Sequence, residues 1–106
     1  MLSFDDFSSL FAGRTFAQLY GFTRDHAREL AGKGCDLLEA GAPDQAVTVF
    51  EGLVVINHQD SGNWCSLGVA YLEAGRAQDA RAALETALRL QPANGVAAKH
   101  LARAKA

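Results

Sequence analysis

The sequence predicts an all-α fold, a solenoid of helix-turn-helix units arranged in tandem. The first observation behind this prediction is a period of 34: when residues 27–60 are placed above residues 61–94, the landmark residues coincide column by column. The coincident pairs are Leu30 with Trp64, Gly34 with Gly68, Leu37 with Tyr71, Gly41 with Gly75, Ala46 with Ala80, Phe50 with Leu84, and Leu53 with Ala87. The second is that these residues recur at intervals of three or four, which places them on one face of a helix. Both observations predict two stacked helical hairpins.

The boundaries of the helices follow from start and stop signals. Thr23 is a plausible N-cap for the first helix, Gly41 supplies the turn after it, and Pro43 with Asp44 favours the start of the next helix. The predicted helices run over about residues 23–40, 43–56, 62–74, 77–90 and 94–106. The last of these follows Pro92 and is a capping helix over residues 95–106. The domain of two repeats therefore spans residues 23–106.

The second row has the spacing Trp64-x2-Leu67-Gly68-x2-Tyr71, followed by Ala80-x3-Leu84, Ala87 and Pro92. This spacing resembles the tetratricopeptide repeat (TPR) at nearly every signature position. Small residues such as Gly68 and Ala80 are expected where two helices approach closely, and the large ones fill the space between them. The resemblance implies a protein-binding solenoid, and the signature residues themselves are expected to serve packing.

The first 22 residues are predicted to form a helical arm rich in aromatic residues. Its candidate contact residues are Phe4, Phe7, Phe11, Phe16, Leu19 and Tyr20. Two repeats bury little continuous core by themselves, since about three are usual in a stable stack. The arm is therefore expected either to pack on the first repeat or to pair with another subunit, and the sequence leaves both alternatives open.

Residues 11–75 also resemble a narrower group, the class II chaperones of bacterial type III secretion, which are TPR proteins that hold translocator proteins. Gly13 and Thr15 before "LYGF", a helix that ends in "LEAG", and "AVTVFEGLVVINHQD" at the second helix carry this resemblance. It implies a homodimer supported by the N-terminal helices, a bacterial cytoplasmic location, and an unstructured client segment held in the concave groove.

The predicted groove lies on the first helix of each repeat, on the residues that remain after the packing positions are removed. These residues are Arg28, Ala31, Cys35 and Leu38 in the first repeat, and Cys65, Val69 and Leu72 in the second. The face is apolar apart from Arg28, so it suits an extended or helical segment with aliphatic anchors. A carboxylate clamp would need Lys and Asn, which Gly32, Cys35, Ser66 and Val69 do not supply. Permanent cover of this face by the arm is the alternative.

Composition and the reactive side chains exclude several other classes of function. Ten basic and twelve acidic residues give a net charge of −2, which disfavours nucleic acid as a partner, and no apolar run approaches the roughly 20 residues needed for membrane insertion. Cys35 and Cys65 form no CxxC motif, and the three histidines occur singly, so we expect no disulfide, no metal, no cofactor and no enzyme activity. The chain is expected to be cytoplasmic. The alternative to a chaperone is a structural adaptor that oligomerises through the arm.

Overall fold

A computed structural model describes residues 16–106, with side chains from His26 onward. In this part of the chain every regular element is a helix, and the order is α1 (Phe16–Glu39), α2 (Pro43–Ile56), α3 (Ser61–Glu73), α4 (Ala77–Leu90) and α5 (Gly95–Lys105). Each helix packs on the next, and α3 also touches α1 and α5. The protein is an all-α, TPR-like helical repeat, as the sequence predicts. Phe4, Phe7 and Phe11 of the predicted arm lie outside the described residues.

The predicted helix boundaries agree with the structure to within one residue, except at the start of α1. Helix α1 begins at Phe16 and runs through Thr23, so the prediction that Thr23 is an N-cap is wrong. Capping residues only favour a helix start, and residues 16–25 contain no proline to force one. Phe16, Leu19 and Tyr20 therefore lie on the same continuous helix as the first repeat, although their side chains are outside the description.

Two turns of the same design join the helices within each repeat. Gly41 has φ +77° and Gly75 has φ +79°, a left-handed conformation that favours glycine. The residue after each glycine donates its N–H to a carbonyl five residues earlier at 2.8 Å, from Ala42 to Leu37 and from Arg76 to Tyr71. Each glycine also donates its N–H to the carbonyl three residues earlier, and the two bonds together form a Schellman motif. It explains why the glycines recur 34 residues apart.

The core repeats in the same way, because each first helix offers a glycine to a large side chain of the second helix. A Cβ atom added at Gly34 would lie 2.5 Å from Cζ of Phe50, and one added at Gly68 would lie 2.5 Å from Cγ of Leu84. Phe50 and Leu84 are almost completely buried. The two signature glycines therefore form the notches that allow the helices of each hairpin to approach closely.

A buried polar network holds α5 against the second repeat. The hydroxyl of Ser61, at the start of α3, donates to the carbonyl oxygen of Ala87 at 2.8 Å and accepts from Nδ2 of Asn94 at 2.9 Å. Asn94 also caps α5, because its Oδ1 accepts from the backbone N–H of Ala97 at 3.0 Å. At the other end of α5, Nε of Arg81 donates to the carbonyl oxygen of Ala104 at 3.2 Å. Helix α5 is therefore fixed at both ends.

Tyr71 of α3 makes a polar contact with α2 at the edge of the core. Its hydroxyl donates to Oε2 of Glu51 at 3.1 Å, and the guanidinium of Arg76 lies 4.6 Å from the centre of its ring. Burial, together with the negative charge of Glu51 and this hydrogen bond, raises the pKa of Tyr71 to about 12. The phenol therefore stays neutral in the folded protein at pH values where an unfolded tyrosine ionises.

This raised pKa predicts a loss of stability in alkaline solution. Below the unfolded pKa of 10.0 the contribution of Tyr71 is complete, and as pH rises from there through about 12 it is lost. A pKa difference of two units limits the contribution of Tyr71 to the free energy of unfolding to about 2.7 kcal/mol. We expect wild type to exceed Tyr71→Phe in free energy of unfolding at pH 8, and this advantage to shrink above pH 10.

Urea denaturation of both proteins between pH 7 and 11.5 measures this difference. The series below pH 9 serves as the internal control, because there the difference should be constant. A difference that stays constant up to pH 11.5 would show that Tyr71 titrates normally in the fold.

Candidate protein-binding face of the first helices

One stripe on the first helices α1, α3 and α5 turns away from the core. We call it the first-helix stripe, and its positions on successive helices are 34 residues apart. They are Arg28, Gly32, Cys35 and Glu39 on α1; Gly62, Ser66, Val69 and Glu73 on α3; and Val96, His100 and Arg103 on α5. Spacings of four, three and four residues keep the positions in line along each helix. All four α1 members are exposed, as are both ends of the α3 row, whereas Ser66 and Val69 are half-buried. The stripe is therefore a continuous solvent-facing surface across the stack.

On α1 and α3 the middle of the stripe carries small side chains. Gly32 and Cys35 occupy it on α1, and Ser66 and Val69 occupy the equivalent positions on α3. Gly32 has no atom within 4 Å of the position where a Cβ would stand, so the backbone itself is accessible there. Another chain can therefore approach these two helices closely in the middle of the stripe.

The residues predicted to form the groove divide into two groups in the structure. Arg28, Cys35 and Val69 lie on the first-helix stripe. The remaining four are two pairs of equivalent positions, Ala31 with Cys65 and Leu38 with Leu72, and they lie beside the stripe, toward the core. Ala31, Leu38 and Leu72 are half-buried against the core, and Cys65 is only 7% exposed. These four can form the floor of a binding site, but they present less surface than the stripe.

Charged side chains lie at both ends of the stripe on α1 and at one end on α3, so the stripe is more polar than the sequence predicted. Arg28 lies at one end, and Glu39 and Glu73 lie at the other. Nη2 of Arg103 on α5 approaches Oε1 of Glu73 to 3.8 Å, and both side chains are about half exposed, so this ion pair adds little stability. The site therefore combines a small, partly apolar middle with charged ends.

On α5 the middle positions of the stripe are occupied by His100 and Arg103. Nη1 of Arg103 lies 3.0 Å from Nδ1 of His100. Burial, and next the positive charges of Arg103 and Lys99, lower the pKa of His100, while Glu73 acts in the opposite direction. The imidazole is therefore neutral at neutral pH, and its Nδ1 can accept the hydrogen bond from Arg103.

The two cysteines lie in different environments. Cys35 is exposed on the stripe and Cys65 is buried beside it, and both are free thiols. Burial raises the pKa of the Cys65 thiol, which makes it less reactive. Within residues 16–106 no group of three or more His, Cys, Asp or Glu side chains is placed to hold a metal ion. In the same part of the chain no helix is both long and apolar enough to cross a membrane.

Comparison with known proteins supports the repeat assignment. The family model of the tetratricopeptide repeat matches residues 62–94, which span α3, α4 and the N-cap of α5. No curated protein matches the chain. The matched segment and the helical architecture support a TPR protein, a class whose repeats generally serve as modules for binding other proteins.

Helix α5 contributes to the candidate site, although the sequence did not predict this contribution. Val96, His100 and Arg103 extend the stripe because α5 occupies the place of a third first helix. The signal was present in the 34-residue period, which continues from Leu67 to Leu101 and from Ala70 to Ala104. It was weak because α5 has alanines where Trp64 and Gly68 mark the second repeat.

Proposed function

We propose that the protein is a chaperone that binds an unstructured or helical segment of a secreted client on the first-helix stripe. The observation that carries this proposal is the exposed stripe shared by three first helices, whose middle carries small side chains on α1 and α3. Stacked helical hairpins generally use such a surface to bind extended partners. The TPR match supports protein binding in general.

The class of client follows from the resemblance of residues 11–75 to the class II chaperones of type III secretion. That resemblance supports a translocator-type client in the bacterial cytoplasm and a homodimer formed through the N-terminal helices. Before secretion, such a client exposes apolar segments that would otherwise aggregate. Holding one of these segments on the stripe would keep the client soluble.

The chemistry of the stripe indicates how the segment would be held. Aliphatic anchors of the client would pack on Val69 and Cys35, with Leu38 and Leu72 forming the floor beside them. Because Gly32 and Ser66 have little side chain, the client backbone can lie close to α1 and α3. The charged ends would leave polar residues of the client in contact with water or with Arg28 and Glu39.

A pair of matched substitutions tests this site. Val69→Glu places a carboxylate in the middle of the stripe, where a bound apolar anchor would bury it without a partner. Val55→Glu makes the same chemical change on α2, where the valine is 56% exposed and lies on another helix. We expect both variants to fold, and only Val69→Glu to lose a client that copurifies with the wild type.

Thermal melts and quantitative pull-downs of wild type, Val69→Glu, Val55→Glu and Leu84→Ala measure these effects. If Val69→Glu unfolds as badly as Leu84→Ala, the stripe is part of the core and the proposed site is wrong. If it folds and binds as well as wild type, the binding site lies elsewhere. In that case the adaptor function, with the N-terminal arm as the working surface, becomes the better explanation.

A further inference from the structure

Each first helix has a side that turns toward the preceding repeat, which we call its back face. Its equivalent positions are Glu29, Asn63 and Ala97; Lys33, Leu67 and Leu101; and Asp36, Ala70 and Ala104. The direction of this face can be seen on α5, because this last helix packs mainly against α4 and α3, which precede it. Its buried residues Ala97 and Ala104 must therefore point toward those helices.

The back face is apolar and buried on the interior helix α3, but charged and exposed on the first helix α1. On α3, Leu67 is 3% exposed and Ala70 is fully buried. On α1, the equivalent residues Lys33 and Asp36 are exposed, and so is Glu29 one turn earlier. The opposite side of α1 is the same as in α3, because Gly34 packs against Phe50 in the same way as Gly68 packs against Leu84. On the outward side of α1, Lys33 and Asp36 are charged where the equivalent residues of α3 are apolar.

We infer that the back face of α1 is a solvated cap that closes the repeat stack from Glu29 onward. Burying Lys33 and Asp36 under an apolar segment would remove two charges from water, a cost that pairing between the two would not fully offset. Polar outer faces are also what keep the ends of repeat stacks soluble. A second copy of the chain therefore does not stack on this face.

Lysine labelling of the full-length chain tests the cap directly. Lys33 lies on the back face, whereas Lys99 and Lys105 are exposed on α5 and serve as controls within the same molecule. We expect an amine-reactive reagent to modify all three at comparable rates, read out by mass spectrometry of peptides. Protection of Lys33 by about tenfold relative to the other two would mean that something covers the face, and would overturn the inference.

A second experiment gives α1 the back face of an interior helix. Lys33→Leu/Asp36→Ala installs the residues of α3 and should create an apolar end that associates, so the mass from light scattering should rise with concentration. Glu85→Ala/Arg89→Leu is the matched control, because it removes one charge of each sign from exposed positions on α4. The control should keep the wild-type mass. An unchanged mass for Lys33→Leu/Asp36→Ala at every concentration contradicts the inference, whether or not its melting temperature rises.

Discussion

Phe50→Ala should lower the free energy of unfolding by about 3–5 kcal/mol. Phe50 is 1% exposed at the centre of α2, and its ring fills the notch at Gly34. Truncation leaves a cavity between α1 and α2 that cannot collapse, because both helices are fixed by the Schellman turn at Gly41. Urea denaturation measures the loss, with an unchanged slope showing that the unfolded state is the same.

Val55→Ala is the matched control on the same helix. Val55 is 56% exposed, so its truncation should change the free energy of unfolding by no more than about 0.5 kcal/mol. A loss below about 1 kcal/mol for Phe50→Ala would mean that α1 does not pack on α2 in solution as described. The first repeat would then be less ordered than the second.

Gly68→Ala should destabilise the protein by about 1–3 kcal/mol through overpacking. Alanine is the better helix former by about 1 kcal/mol, so helix propensity alone predicts the opposite sign. The steric overlap outweighs the gain in helix propensity, because the new Cβ would lie 2.5 Å from Cγ and 2.7 Å from Cδ2 of Leu84. Leu84 is completely buried, so it cannot relieve the clash by moving into solvent.

Two further variants separate packing from propensity at this position. In a Leu84→Ala background the clashing atoms are gone, so the added methyl group of Gly68→Ala should cost little or should stabilise the protein. Gly32→Ala is the helical control, because nothing lies within 4 Å of its Cβ position, and it should stabilise by up to about 1 kcal/mol. Equal effects of Gly68→Ala in the two backgrounds would show that Leu84 is not the obstacle.

The sequence by itself determined the repeat, the turns and the role of the signature residues. A period of 34 residues and helical spacing identify positions that share a face, and Gly41, Gly75 and Pro43 favour particular backbone conformations independently of their neighbours. The boundaries of α2 and α4, and the close approach at Gly68, could therefore be predicted before any contact was known. The predicted helix start at Thr23 was wrong, because a capping residue expresses only a local preference.

Only the tertiary structure decided which exposed positions form the candidate site. Successive residues of a helix differ by about 100° in direction, so two residues three apart, such as Cys35 and Leu38, are separated by only about 60° and occupy neighbouring parts of one surface. Whether each is buried depends on where α2 and α3 lie, and helical spacing within α1 contains no such information. The same holds for Ser61, whose hydrogen bonds join α4 and the cap of α5, and for Lys33, whose exposure is unusual only beside its buried equivalent Leu67. Periodicity assigns a residue to a face, but the neighbouring helices determine whether that face meets water.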